Sequence, residues 1–129
     1  LGHSDADVLL HAVCDALLGA AALGDIGMHF PDDDPAYENI SSLVLLDRVW
    51  KKVQAAGFEM VNLDAIIIAQ KPKMVPYVPQ MRQNIAQVLG VPVERVGLKA
   101  TTTEGLGYIG QSLGISAQAV AQLRQNKEE

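Results

Sequence analysis

The stretch HSDADVLLHAVCDALLG, residues 3–19, carries the densest set of ionisable groups in the sequence. His3, Asp5, Asp7, His11 and Asp15 fall on a segment whose apolar residues otherwise repeat at helical spacing. Positions 7, 11 and 15 are each one helical turn apart, which places a carboxylate on either side of His11 along one face. A carboxylate bonded to one ring nitrogen fixes the tautomer and leaves the other nitrogen free to hold a metal. On pattern alone the same residues read more readily as exposed helix acids with an imidazole at the rim. The pattern is not the H-E-x-x-H of a zinc helix, and one histidine does not make a zinc site.

Three further stretches could carry chemistry. In GDIGMHFPDDDP, residues 24–35, Asp25 stands on a glycine-framed turn and three acids follow Phe30-Pro31. A carboxylate so placed suits a polyol hydroxyl or a metal-bound water, and a solvated acidic loop has the same composition. In QKPKMVP, Lys71 and Lys73 flank Pro72, whose fixed backbone can present amides and a cation to an anion; a plain crossover loop reads the same way. In KATTTEGLGYIG, three threonines precede Glu104 and a glycine-rich turn. Hydroxyls and free amides at a strand end suit phosphate oxygens, and a carboxylate beside them suits a hard cation such as Mg²⁺. A β-branched strand end followed by a turn is the alternative. No G-x-S-x-G and no Walker A motif occurs, and Cys14 lies in the apolar stripe as a core residue rather than a nucleophile.

These groups need a scaffold, and 129 residues suffice for one domain with one core. The chain is 49% hydrophobic and 19% charged, with a net charge of −5 and no cluster of Lys and Arg. That composition is globular and argues against a nucleic-acid surface, which needs concentrated positive charge. The longest apolar runs, such as AIIIA, are too short to cross a bilayer, and residues 1–30 lack the basic start of a signal peptide. The single cysteine excludes an internal disulfide and fits a reducing compartment. The sequence starts on Leu-Gly, without an initiating methionine, directly before a helix, as a processed or partial chain would.

Ser4 or Asp5 is placed to cap a helix running to about Leu18, with Val8, Leu10, Val13, Leu17 and Leu18 as its inner stripe. A brief helical turn and a long loop should follow, then a helix over about 42–56 that Gly57 ends. FEMVNLDAIIIAQ reads as a largely buried strand, and KPKMVPYVP as a stiff connection. Pro79 suits the first turn of a helix that stops at Gly90. VGLKATTT reads as a strand. Residues 115–123 are ambiguous in propensity, but Ile115, Ala117, Ala119, Ala121 and Leu123 alternate with polar residues, interrupted only by Val120, which favours a strand. The expected class is α/β, an α+β sandwich with helices packed on one face of a mixed sheet.

Taken in order, HSDADVLLHAVCDALLGAAALGDIGMHFPDDDP, IIAQKPKMVPYVPQMR and VGLKATTTEGLGYIG resemble the 2-C-methyl-D-erythritol 2,4-cyclodiphosphate synthases across nearly the whole chain. The resemblance implies an enzyme, a phosphorus–oxygen lyase of the non-mevalonate isoprenoid pathway. Its substrate would be 4-diphosphocytidyl-2-C-methyl-D-erythritol 2-phosphate, and its products the cyclic diphosphate and CMP. The substrate's own phosphate is then the nucleophile, which accounts for the absence of a protein one. By the same resemblance, His11 matches a zinc ligand and Glu104 the ligand of a second ion, Mg²⁺ or Mn²⁺. His3 and Thr102 match catalytic residues. Ser4, Asp25, Ile26, Gly27, Phe30, Pro31, Asp32, Asp33 and Asp34 match the methylerythritol phosphate pocket. Ala69, Gln70, Lys71, Pro72, Lys73, Met74 and Val75, together with Thr101, Thr102 and Thr103, match the cytidine and α-phosphate site. Glu104 and Tyr108 complete the substrate contacts.

The resemblance further implies a homotrimer whose sites lie between subunits and whose sheets face the threefold axis, a face to which the small-residue alternation of 115–123 is assigned. It implies a cytoplasmic location, or the plastid stroma in a plant or alga, with no nucleic-acid or membrane partner. Two departures stand out. The family's other zinc ligands come from a D-x-H motif in an N-terminal segment that this sequence does not include. Gln111 occupies a position where many members have an arginine associated with isoprenoid diphosphate binding on the axis. The first departure sets up the alternative to an enzyme, a catalytically silent trimer that binds cytidine nucleotides.

Overall fold

The computed structural model describes residues 3–31, 41–69, 74–102 and 115–126, with side chains from residue 6 onward. Among the described residues four α-helices, α1 (His3–Ala20), α2 (Ile26–His29), α3 (Ser42–Ala55) and α4 (Val78–Leu89), accompany three strands, β1 (Phe58–Ala69), β2 (Val96–Thr101) and β3 (Ile115–Gln125). The sheet order is β2-β1-β3, with β1–β2 parallel and β1–β3 antiparallel. The expected mixed sheet with a helical layer is therefore present. The parallel pair requires a crossover, and α4 supplies it, with Pro79 in its first turn and Gly90 at its end.

The helix α1 is already regular at His3, so Ser4 and Asp5 lie inside its first turn rather than before it. It also runs two residues past Leu18. Its end is closed by Ala22 N–H bonding to the Gly19 carbonyl (3.0 Å) and Leu23 N–H to that of Leu18 (2.8 Å). Ala22 takes the left-handed conformation, φ 59°, that such a cap demands. The buried stripe is Leu9, Leu10, Val13, Cys14, Leu17 and Leu18, whereas Val8 is only half-buried. On α3, Ser41 caps the helix through the Val44 amide, and Leu45, Leu46, Val49, Trp50 and Val53 turn inward. Each of these large apolar side chains contributes about 1.5–3 kcal/mol when removed from water, and together they fasten α1 and α3 to the sheet.

In β1 the helix-facing side chains are Met60, Leu63, Ala65, Ile67 and Ala69. The change from even to odd numbers has a local cause. Met60 pairs with Leu123 and Asn62 with Gln122, so Val61 is an extra residue that bulges from the ladder. Ile66 and Ile68 face the other way and are only half-buried, so AIIIA is buried on one side rather than both.

The structure corrects the assignment of β3. Its small residues do not form the outward face. Ala117, Ala119 and Ala121 lie opposite Ile67, Ala65 and Leu63 and pack against the core beneath the helices. Alanine here lets α1 approach the sheet closely. The outward face carries Ser116, Gln118, Val120, Gln122 and Arg124, with Val120 74% exposed. Two ion pairs lie on that face, Lys99–Asp64 (2.6 Å) and Arg124–Glu59 (3.3 Å). Gly97 makes the first possible, because a Cβ there would come within 2.8 Å of Asp64 Oδ1.

Candidate functional site

The residues singled out in the sequence fall into two groups. The first is built by α1 and the turn that follows it. His11 and Asp15 are exposed on one face of α1, one helical turn apart. Asp15 Oδ1 accepts a hydrogen bond from the Ile26 amide at 2.9 Å. Asp25, the residue before, caps α2 through the same kind of contact, its Oδ1 accepting from the Met28 amide at 3.0 Å. His29 Nε2–H donates to the Leu23 carbonyl at 2.7 Å, and Phe30 N–H to that of Ile26 at 2.8 Å. Gly24 has φ 95°, and the Met28 side chain occupies the space a Cβ would need. Asp25 is therefore held on a short, cross-braced turn beside the helix that bears His11. One of its oxygens is committed to the cap, and the carboxylate as a whole is exposed.

Phe30 belongs to this turn, but its side chain is buried at 6% exposure and anchors the turn in the core. Lys52 of α3 lies 5.7 Å from its ring centroid, a cation–π contact that covers the same ring from the solvent side. Pro31 is exposed. His3 and Ser4 lie in the first turn of α1, on the same helix as His11.

The expected carboxylate partners of His11 are otherwise engaged. Asp15 serves Ile26, and Asp7 accepts the Ser42 hydroxyl at 2.6 Å. Their spacing along the helix was legible, but both bonds go to residues distant in sequence. His11 itself makes no hydrogen bond among the described residues. The ring fits the role of a single metal ligand. A catalytic zinc site takes about three protein donors, and among the described residues no group of three His, Cys, Asp or Glu comes together. The described residues thus do not complete a metal site.

The second group lies at one end of the sheet. Because β1 and β2 run parallel, with Ile68 opposite Thr101, both strands finish at the same edge. Ala69 also faces Ile115, where β3 begins. The ends of β1 and β2 therefore lie side by side, at the carboxyl ends of parallel strands, where open α/β sheets bind ligands. Ala69 and Met74 are buried, at 5% and 4% exposure, and Val75, Thr101 and Thr102 are exposed. Val75–Tyr77 forms a 3₁₀ turn leading directly into α4, where the sequence suggested only a stiff connection. Asp32, Asp33, Asp34, Gln70, Lys71, Pro72, Lys73, Thr103, Glu104, Tyr108 and Gln111 lie outside the described residues.

Sequence reasoning weighed Asp7 and Asp15 as partners of His11 or as exposed helix acids; both are exposed, and their hydrogen bonds to Ser42 and Ile26 were missed. The available signal for Asp15 was a carboxylate in the second half of a helix, where the dipole disfavours it, shortly before a turn rich in free amides. Cys14 is confirmed as a core residue. Burial pushes its thiol up to about 12 from 9.0, with the Asp15 charge adding to the effect. Among the described residues, no helix is long and apolar enough to cross a membrane.

Comparison with known proteins agrees with this arrangement. The YgbB family model matches residues 1–124. The 2-C-methyl-D-erythritol 2,4-cyclodiphosphate synthase of Syntrophomonas wolfei is 60% identical over 125 residues, covering 97% of this chain and 80% of that protein. The synthase of the same name from Lachnospira eligens is 63% identical over 123 residues, covering 95% of this chain and 67% of its own length. Among solved structures, the bifunctional IspDF of Campylobacter jejuni superposes with a TM-score of 0.87 at 42% identity, over 92% of this chain. The present chain spans only 32% of that longer one. A 2C-methyl-D-erythritol-2,4-cyclodiphosphate synthase solved with CDP bound gives a TM-score of 0.80 at 33% identity, covering 89% of this chain and 74% of the other. These matches give the silent cytidine-binding alternative no support. The chain belongs to the YgbB family, that of the 2-C-methyl-D-erythritol 2,4-cyclodiphosphate synthases.

Proposed function

We propose that this chain converts 4-diphosphocytidyl-2-C-methyl-D-erythritol 2-phosphate to 2-C-methyl-D-erythritol 2,4-cyclodiphosphate and CMP, as a phosphorus–oxygen lyase of the cytoplasm. The observation that carries the reading is the bracing of Asp25 beside the His11 face of α1 by the Asp15–Ile26 bond. A polyol needs a fixed acceptor, and the reaction needs its two phosphate groups held close together.

An oxygen of the 2-phosphate attacks the β-phosphorus, one P–O bond forms, and the bond from that phosphorus to the CMP oxygen breaks. No protein nucleophile enters, so rate comes from positioning and charge neutralisation. Asp25 orients the erythritol hydroxyls, with Ser4, Ile26, Gly27 and residues 30–34 around them. Residues 69–75 and 101–103, leaving adjacent strand ends, hold the cytidine and α-phosphate, with Tyr108 beside them. His3 and Thr102 orient the reacting phosphates. His11 would hold zinc and Glu104 Mg²⁺ or Mn²⁺, ions that neutralise phosphate charge when bound. The chain works as a homotrimer, with the outward sheet face of Val120, Gln118 and Gln122 turned to the axis and the two groups of residues meeting between subunits.

The test follows phosphorus resonances of the substrate with purified protein. Ring product and CMP should form in equal amounts, and Glu104→Gln should slow turnover about a hundredfold. CDP should bind well and ADP poorly. Absence of the cyclic product from the parent protein would overturn the reading.

A further inference from the structure

We propose that Asp15 is a positioning residue for substrate binding, acting through the turn that carries Asp25; the proposal rests on the function given above. The bond from the Ile26 amide to Asp15 Oδ1 spans eleven residues and joins the turn to α1. Among the described residues it is the side-chain hydrogen bond that crosses between these two elements, whereas the Asp25–Met28 and His29–Leu23 bonds close the turn on itself. Without the Asp15 bond the turn would keep its internal shape and its Phe30 anchor in the core, and the Ile26 amide would lose its tie to α1. Asp15 is one helical turn from His11 on the same exposed face. The bond therefore sets the distance between the Asp25 carboxylate and the imidazole, the two groups that must hold opposite ends of the reacting part of the substrate.

The role belongs to a hydrogen-bond acceptor, not to a charge. Asp15→Asn retains a side-chain carbonyl at the same reach, and Asp15→Ala removes it. A second feature separates positioning from simple stability. If Asp15 acts only through Asp25, its removal matters little once Asp25 is gone, and the two substitutions are strongly non-additive.

The experiment uses the full-length enzyme and four variants, Asp15→Ala, Asp15→Asn, Asp25→Ala and the Asp15→Ala/Asp25→Ala double. Amide exchange at Ile26 should accelerate about tenfold or more in Asp15→Ala and return towards the parent rate in Asp15→Asn. The alanine variant should lose about a hundredfold in kcat/KM, chiefly through KM, while its affinity for CMP stays within about twofold of the parent. The asparagine variant should recover most of that loss, and the double variant should be no slower than Asp25→Ala. Unchanged exchange at Ile26, failure of asparagine to rescue, multiplicative losses in the double variant, or a loss of CMP affinity equal to that of substrate would each overturn the proposal. A parent enzyme with no cyclase activity would refute the function above, while the Ile26 exchange rates would still decide whether the Asp15 clamp exists.

Discussion

The Ser42 hydroxyl donates a 2.6 Å hydrogen bond to Asp7 Oδ1, joining the start of α3 to the second turn of α1 across 35 residues of sequence. Ser42 is the buried polar residue of the core's edge, at 7% exposure. Hydrogen bonds to a charged group contribute about 1.5–3 kcal/mol, less where the carboxylate is exposed as here. Ser42→Ala should therefore lower stability by about 1–2 kcal/mol. Urea unfolding of the parent and the variant measures it, and an unchanged midpoint would show that the bond contributes nothing.

At the other end of α1, Ala22 adopts φ 59° in an exposed turn. A Cβ is strained in that region, and glycine is not. Ala22→Gly should raise stability by about 0.5–1 kcal/mol, the gain in the folded turn being partly offset by the freer unfolded chain. Thermal unfolding checks the sign, which is unusual for a helix-end Ala-to-Gly change.

The Cys14 thiol, held up at about 12 by burial and then by Asp15, is neutral in the folded protein throughout the neutral range. The unfolded chain ionises first, near 9. The thiol's contribution to stability is thus fully present below about pH 9 and declines as pH rises from there towards 12. Cys14→Ala or Cys14→Val should flatten this alkaline decline. In the native protein a thiol reagent should react only as fast as the fold opens, which mass spectrometry after timed alkylation reads directly.

The two faces of β3 should respond differently to substitution. Ala119, opposite Ala65, is half-buried against the core, and Ala119→Leu should cost about 1–3 kcal/mol by overpacking that layer. Val120 points outward at 74% exposure, so Val120→Lys should leave the isolated chain's fold intact. In the proposed homotrimer the same change buries three like charges near the axis and should shift the assembly to monomer in light scattering. A trimer unaffected by Val120→Lys would place the interface elsewhere.

Much of this arrangement was legible in the sequence because it is encoded locally. The strand at β3 follows from its two-residue alternation, and α4 from Pro79 and Gly90 at its ends. The His11 and Asp25 positions follow from short motifs. What was not legible depends on residues far apart. Nothing in the one-turn spacing of Asp7, His11 and Asp15 reveals that Ser42 and Ile26 take the two carboxylates. The alternation of β3 shows that one face is small but not which layer lies over it, and close packing against α1 is a property of the assembled domain.

The extra residue at Val61 gives β1 one place where its length is free to change. Before the bulge Met60 faces the helices, and after it Leu63 does, with the partners Leu123 and Ala121 in unbroken order on β3. Deleting Val61 would join these into a regular strand in which every side chain keeps both its face and its partner. A deletion anywhere else in β1 would turn all the residues on one side of it inside out. Variation in chain length is therefore cheap at this one point, and the register of β1 from Asn62 to Ala69 is insulated from it.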